Sequence, residues 1–315
     1  MAGLSRLPVF DFAKGLAPLR EAMLGFTPPA LPSELEAVER VERFIPGLND
    51  APDVRVLYYS MPKATASPRP AVLHIHGGGF VIGAPDFSDQ SNRQLVLSAD
   101  CVVVSVDYRL APETRFPGAM LDCYAVLKWM SENAAELGID GQGIAVVGES
   151  AGGGHAVALA LHARDNGGPD ICQLVLDAPM LDDRTGSISV SHDYCGEFVW
   201  TAENNRFGWR ALLGTEPGGA NVPDAAVPLR RKDLSRLPPT CITVGALDLF
   251  LEENLEFIRR LSRTGVPTEL HVIPGAYHGF GNILDAPQSR ALLFTKVDAL
   301  MRAWKVDGCS CAIAR

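Results

Sequence analysis

The chain has 315 residues, 47% of them hydrophobic, and a formal net charge of −9. That length suits one large α/β domain with an embellishment, and an acidic balance without any arginine-rich run argues against nucleic acid or anionic membrane surfaces as partners. No apolar run is long enough to span a bilayer, the opening residues lack the pattern of a signal peptide, and seven scattered cysteines suit reduced thiols in a cytoplasm.

Helical spacing of apolar residues predicts a helix over 10–24, stopped by Thr27-Pro28-Pro29. Residues 38–45 and 54–60 mix β-branched or aromatic side chains with charges, as exposed antiparallel strands do, with turn material between them. Buried strands are then expected over 71–76, 101–107, 144–147, 171–177, 241–245 and 268–273. Helices fall between most of them at 90–98, 120–137, 151–164 and 252–263, and a last helix at 287–304 closes the chain. Such alternation argues for a mostly parallel sheet covered on both faces.

One spacing is abnormal. A strand-helix-strand unit needs only about 30 to 40 residues, yet the stretch from Asp177 to Cys241 is much longer and holds a helix of its own over 203–213. The excess lies where ligands bind in open α/β sheets, and it gathers Tyr194, Phe198, Trp200, Phe207 and Trp209. It reads as a lid; the alternative is a subdomain packed on itself.

The chemistry centres on Gly148-Glu149-Ser150-Ala151-Gly152, between the apolar run 144–147 and an Ala/Leu-rich helix. This is a G-x-S-x-G elbow in its required setting of strand before and helix after. Its glycines are needed because a Cβ at either would clash in so tight a turn, and Ser150 is thereby pushed clear of the sheet in strained backbone. A nucleophilic serine needs a base, an acid to orient that base, and donors for the oxyanion. The base follows the last strand, which selects His278 in PGAYHGF. His155 and His162 lie on the buried helix, His271 lies in a strand, and His192 lies in the insertion. For the acid, Asp248 after the strand 241–245 is favoured over Asp177, which would otherwise hydrogen-bond a turn. The run His74-Ile75-His76-Gly77-Gly78-Gly79-Phe80 follows a strand and lets backbone N–H groups of Gly77 and Gly78 join that of Ala151 at a carbonyl oxygen. His76 reads as a brace for this loop. The glycines are also expected to leave room beside the leaving alcohol, enough for slow cleavage of tertiary-alcohol esters. No G-K-[ST] ending marks a phosphate loop, and Cys309 with Cys311 reads as an ordinary tail, not a metal site.

HGGGF, Tyr108-Arg109-Leu110-Ala111-Pro112-Glu113, GESAGGG, GALDLF and PGAYHGF, in that order, resemble the hormone-sensitive-lipase-like family of microbial carboxylesterases. The resemblance runs from about Leu31 to the C-terminal helix. It implies a single α/β-hydrolase domain over 1–315, a cap built from about 1–30 and about 180–225, no cofactor, no metal, and hydrolysis of short to medium acyl esters. It places the triad on Ser150, Asp248 and His278 and the oxyanion donors on Gly77, Gly78 and Ala151. Glu149 stands where subgroups of the family vary, so it says little about substrate. The partner implied is a small-molecule ester, and a homodimer is left open. An amidase, lactonase or deacetylase would use the same machinery. A non-catalytic receptor on this fold is the rival from another class, and the full set of triad residues weighs against it.

Overall fold

The computed structural model describes residues 10, 12, 15–25, 30–62, 67–189, 193–283 and 285–305. Every predicted strand forms: β1 (Glu39–Ile45), β2 (Val54–Ser60), β3 (Arg69–Ile75), β4 (Val102–Val106), β5 (Ile139–Glu149), β6 (Gln173–Asp177), β7 (Thr240–Gly245) and β8 (Thr268–Ile273). They join in one sheet of order β1-β2-β4-β3-β5-β6-β7-β8. β2 runs antiparallel to both β1 and β4, and all later pairings are parallel. The central strands are near-continuous apolar runs because both their faces are covered; edge strand β8 is only partly buried.

The helices are α1 (Leu16–Leu24), α2 (Ser33–Glu36), α3 (Asp89–Ala99), α4 (Gly118–Glu132), α5 (Ala134–Leu137), α6 (Ala151–Asn166), α7 (Ala202–Leu213), α8 (Leu251–Ser262) and α9 (Pro287–Lys305). Strand side chains alternate between faces. Leu73, Ile75, Val104, Val146 and Ile242 pack with α4, α6 and α8, while Val72, Val103, Val147 and Val175 pack with α3 and α9. A third apolar cluster of Phe12, Phe80, Trp200, Trp209 and Leu212 lies apart from both.

Three expectations shift. The helix over 120–137 breaks in two at Asn133, whose backbone N–H and side-chain amide both donate to Trp129 O. The helix over 10–24 begins only at Leu16, after Gly15 at φ 90°. β5 extends well before residue 144, since Ile139 pairs with Arg69. Thr27-Pro28-Pro29, His192, Cys309 and Cys311 lie outside the described residues. Cys101, Cys123 and Cys241 carry free thiols. Among the described residues no helix is long and apolar enough to cross a membrane.

Candidate active site

β5 passes into α6 through Ser150 alone, held at φ 53°, ψ −119°. Such backbone costs on the order of 1–3 kcal/mol and persists only where its surroundings enforce it. Here Ser150 N–H donates to Asp177 O at 2.8 Å, and Ser150 O accepts from Met180 N at 2.9 Å and Gly154 N at 3.1 Å. A Cβ on Gly148 would stand 2.6 Å from Gly152 O, and one on Gly152 only 2.1 Å from Ile75 O. Both glycines of the elbow are therefore obligatory, the second because β3 ends against it.

The loop after β8 turns back at Gly279, φ 75°, and brings His278 Nε2 to 2.9 Å from Ser150 Oγ. Its Nδ1 lies 2.8 Å from Asp248 Oδ2. A carboxylate only accepts, so Nδ1–H donates to Asp248 and Nε2 is left to accept from the serine hydroxyl. Asp248 is fully buried, and its Oδ1 accepts from Phe250 N at 2.9 Å, which fixes the carboxylate. The Phe250 ring meets the imidazole edge-on at 5.1 Å.

The other histidines stand elsewhere. His155 is buried among aromatic rings, 4.9 Å from Phe80 and 5.0 Å from Tyr108, and burial pushes its pKa down to about 3. His162 packs on Tyr124, and His271 bonds Glu269 at 2.6 Å. His76 stacks on Tyr108 at 4.2 Å and donates from Nδ1 to Gly77 O at 2.7 Å. Burial lowers it to about 4 despite that bond, so it is a neutral brace for the loop.

Asp177, the runner-up for the acid, does not meet His278. Its Oδ2 pairs at 2.7 Å with Lys296 Nζ, which also stands 3.4 Å from Glu149 Oε1. Sequence reasoning missed Lys296. Its signal is its spacing within α9, where Leu292, Lys296 and Leu300 form an i, i+4 stripe whose apolar members are buried.

Gly77 runs against the elbow: a Cβ there would lie 3.4 Å from Ser150 Cβ. One on Gly78 would meet Ile82 O at 1.9 Å, and one on Gly79 would enter the Trp200 ring at 2.0 Å. None of the missing side chains would have pointed into open space. The room expected beside the leaving alcohol is not created by these glycines, because Trp200 fills the place beside Gly79. Ala151 opens α6, where first-turn N–H groups have no intrahelical acceptor.

Trp200 is set by an unusual turn. Val199 has φ 63°, and Trp200 N–H donates to Phe198 O at 2.7 Å, a three-residue turn that is costly for a β-branched residue. The indole lies 6.2 Å from Phe10, 6.0 Å from Phe12 and 6.3 Å from His278, so the N-terminal segment and the long insertion meet beside the serine. A cavity of about 540 Å³ is lined by Ser150, His278 and the glycine loop, with Phe10, Met23 and Trp200 in one part of its wall and residues of α3 and α9 in another.

A mostly parallel sheet whose central strand turns through a strained serine into a buried helix, beneath a glycine loop, defines a hydrolase of the α/β-hydrolase fold. The chain belongs to the hormone-sensitive-lipase-like family of microbial carboxylesterases and is a carboxylic ester hydrolase. Residues 72–282 match a family model described as an alpha/beta hydrolase fold. Carboxylesterase NlhH of Mycobacterium tuberculosis is 35% identical over 288 residues, which span 88% of this chain and 86% of that protein. Esterase LipI of the same organism is 35% identical over 229 residues, 67% of this chain and 65% of LipI. Among solved structures, a bacterial heroin esterase superposes with a TM-score of 0.86 at 36% identity, covering 96% of each chain.

Proposed function

We propose that this enzyme cleaves short to medium acyl esters through an acyl-enzyme on Ser150, with His278 as general base and acid and Asp248 as the orienting carboxylate. The observation that carries this reading is the unbroken relay from Asp248 Oδ2 through His278 to Ser150 Oγ, with contacts of 2.8 and 2.9 Å. His278 takes the serine proton as Oγ attacks the carbonyl carbon, then returns it to the departing alkoxide; water repeats the sequence on the acyl-enzyme. N–H groups of Gly77, Gly78 and Ala151 receive the developing oxyanion, and loss of one such donor costs about 3 kcal/mol of barrier. No step calls on a metal or cofactor.

The aromatic contacts between Phe10, Phe12 and Trp200 support a cap made of about 1–30 and about 180–225 on a single domain. A finite cavity under such a cap rewards each added methylene by up to about 0.8 kcal/mol until it is full, so activity peaks at short or medium acyl chains. The test is labelling of purified protein by a serine-directed phosphonate, with Ser150→Ala alongside. Wild type should label at Ser150 and hydrolyse p-nitrophenyl butyrate, while the variant does neither and keeps its fold. Turnover near the wild-type rate in Ser150→Ala would sink the assignment.

A further inference from the structure

The cavity has a charged floor behind the nucleophile. Glu149, Asp177, Lys296 and His74 all line it. Glu149 leaves 27% of its side-chain surface open although it sits at the end of the sheet's central strand, so the cavity is where that surface faces. Its contacts are long: His74 Nε2 lies 3.4 Å from each oxygen, and Lys296 Nζ lies 3.4 Å from Oε1. The ammonium is drawn tightly to Asp177 instead, at 2.7 Å. Glu149 therefore keeps lone pairs for a further donor, and Lys296 has three N–H bonds to distribute.

The chemistry of an occupant follows by elimination. An apolar arm would strip water from Glu149 and Lys296 and return no hydrogen bond, a cost that polar sites use to reject analogues. A carboxylate would face Glu149 and Asp177, and an ammonium, though drawn to those carboxylates, has no lone pair to accept from Lys296. An uncharged hydroxyl both donates to a carboxylate and accepts from an ammonium. We propose that this lobe is a subsite for a hydroxyl carried by the ester, so that hydroxy-esters are preferred over apolar esters of the same shape. The proposal rests on the esterase reading and assigns Glu149, with Lys296, as a determinant of specificity.

The hydroxyl can ride on either arm of the ester, and two matched pairs separate the sources. Ethyl 3-hydroxybutyrate against ethyl 3-methylbutyrate tests the acyl arm; 2-hydroxyethyl butyrate against n-propyl butyrate tests the alcohol arm. In wild type, one pair should show kcat/KM about tenfold higher for its hydroxy member, the range expected of a hydrogen bond to a charged group. Glu149→Gln should bring that ratio most of the way to parity, whatever it does to the absolute rates. Parity in both wild-type pairs, with the apolar esters turned over, overturns the subsite whether or not the variant folds. A ratio unchanged in a folded Glu149→Gln enzyme overturns the role of Glu149. Absence of turnover on all four esters, together with no phosphonate labelling at Ser150, sinks the esterase reading and this inference with it.

Discussion

The end of β6 and the loop after β7 each bring an aspartate close to Ser150, and the two are held by different partners. Asp177 is the last residue of its strand, and pleat alternation puts its side chain on the same face as Val175, which packs with α9; there it meets Lys296. Asp248 stands beyond Gly245 in a turn, free of the pleat, and its carboxylate reaches the loop after the neighbouring strand to meet His278. Two residues of one type, one at the end of a strand and one in the turn after its neighbour, thus acquire different chemistry from a small difference in backbone position. A strand-end side chain is committed to one helix layer, whereas a residue in the following turn can rise over the sheet.

The most direct way to break this comparison is to neutralise each carboxylate in turn. Asp248→Asn should lower kcat on p-nitrophenyl butyrate by on the order of 10³- to 10⁴-fold with little change in KM, because the amide no longer holds the imidazole in the tautomer that accepts from Ser150 or steadies the imidazolium. Removing the cation at the other end tests stability instead. Lys296→Met leaves Glu149 and Asp177 facing each other, and breaking a buried pair costs about 3–5 kcal/mol. Its unfolding midpoint in urea should drop at neutral pH, and the deficit should shrink in acid as the carboxylates protonate. Asp177→Asn is the mildest of the three: kcat should change less than about tenfold, since the amide oxygen still accepts from Lys296. A larger rate loss in Asp177→Asn than in Asp248→Asn would move the acid to β6.

The same contrast explains what the chain made legible. That Ser150, His278 and Asp248 come together was legible because elbow geometry demands glycines at 148 and 152 and because an acid and a base for such a serine must follow particular strands, constraints written locally. The central strands β3 to β7 were legible because a parallel strand buried on both faces has to be an apolar run. Lys296 was hidden because its partners come from β5 and β6, far from α9 in the chain, and only its place on a buried stripe hinted at them. Trp200 was hidden in another way. An aromatic residue in an insertion says nothing of which glycine it will lean on, and the strained turn at Val199 that aims it has no glycine to announce it. The break at Asn133 escaped notice because helical spacing continues through it.

A third buried carboxylate extends the comparison to a case with no ion pair among the described residues. Glu253 on α8 is 4% exposed, and its Oε1 accepts from Leu181 N at 2.6 Å, which ties α8 to the segment after β6. Burial raises its pKa well above the usual carboxylate range, against the smaller opposing pull of that backbone bond. The folded protein therefore keeps a proton that the unfolded chain gives up near its ordinary pKa of about 4.3. Between those two values the native state binds more protons than the unfolded state, so this group's contribution to stability is complete in acid and is lost as pH rises toward the folded value, with a slope of up to about 1.4 kcal/mol per pH unit. Glu253→Gln retains the shape and the acceptor for Leu181 N but does not titrate. Relative to wild type, the variant's unfolding free energy should increase from pH 5 to pH 8, measured by urea denaturation at each pH. A difference that stays flat across that range would mean that Glu253 is ionised in the fold despite its burial.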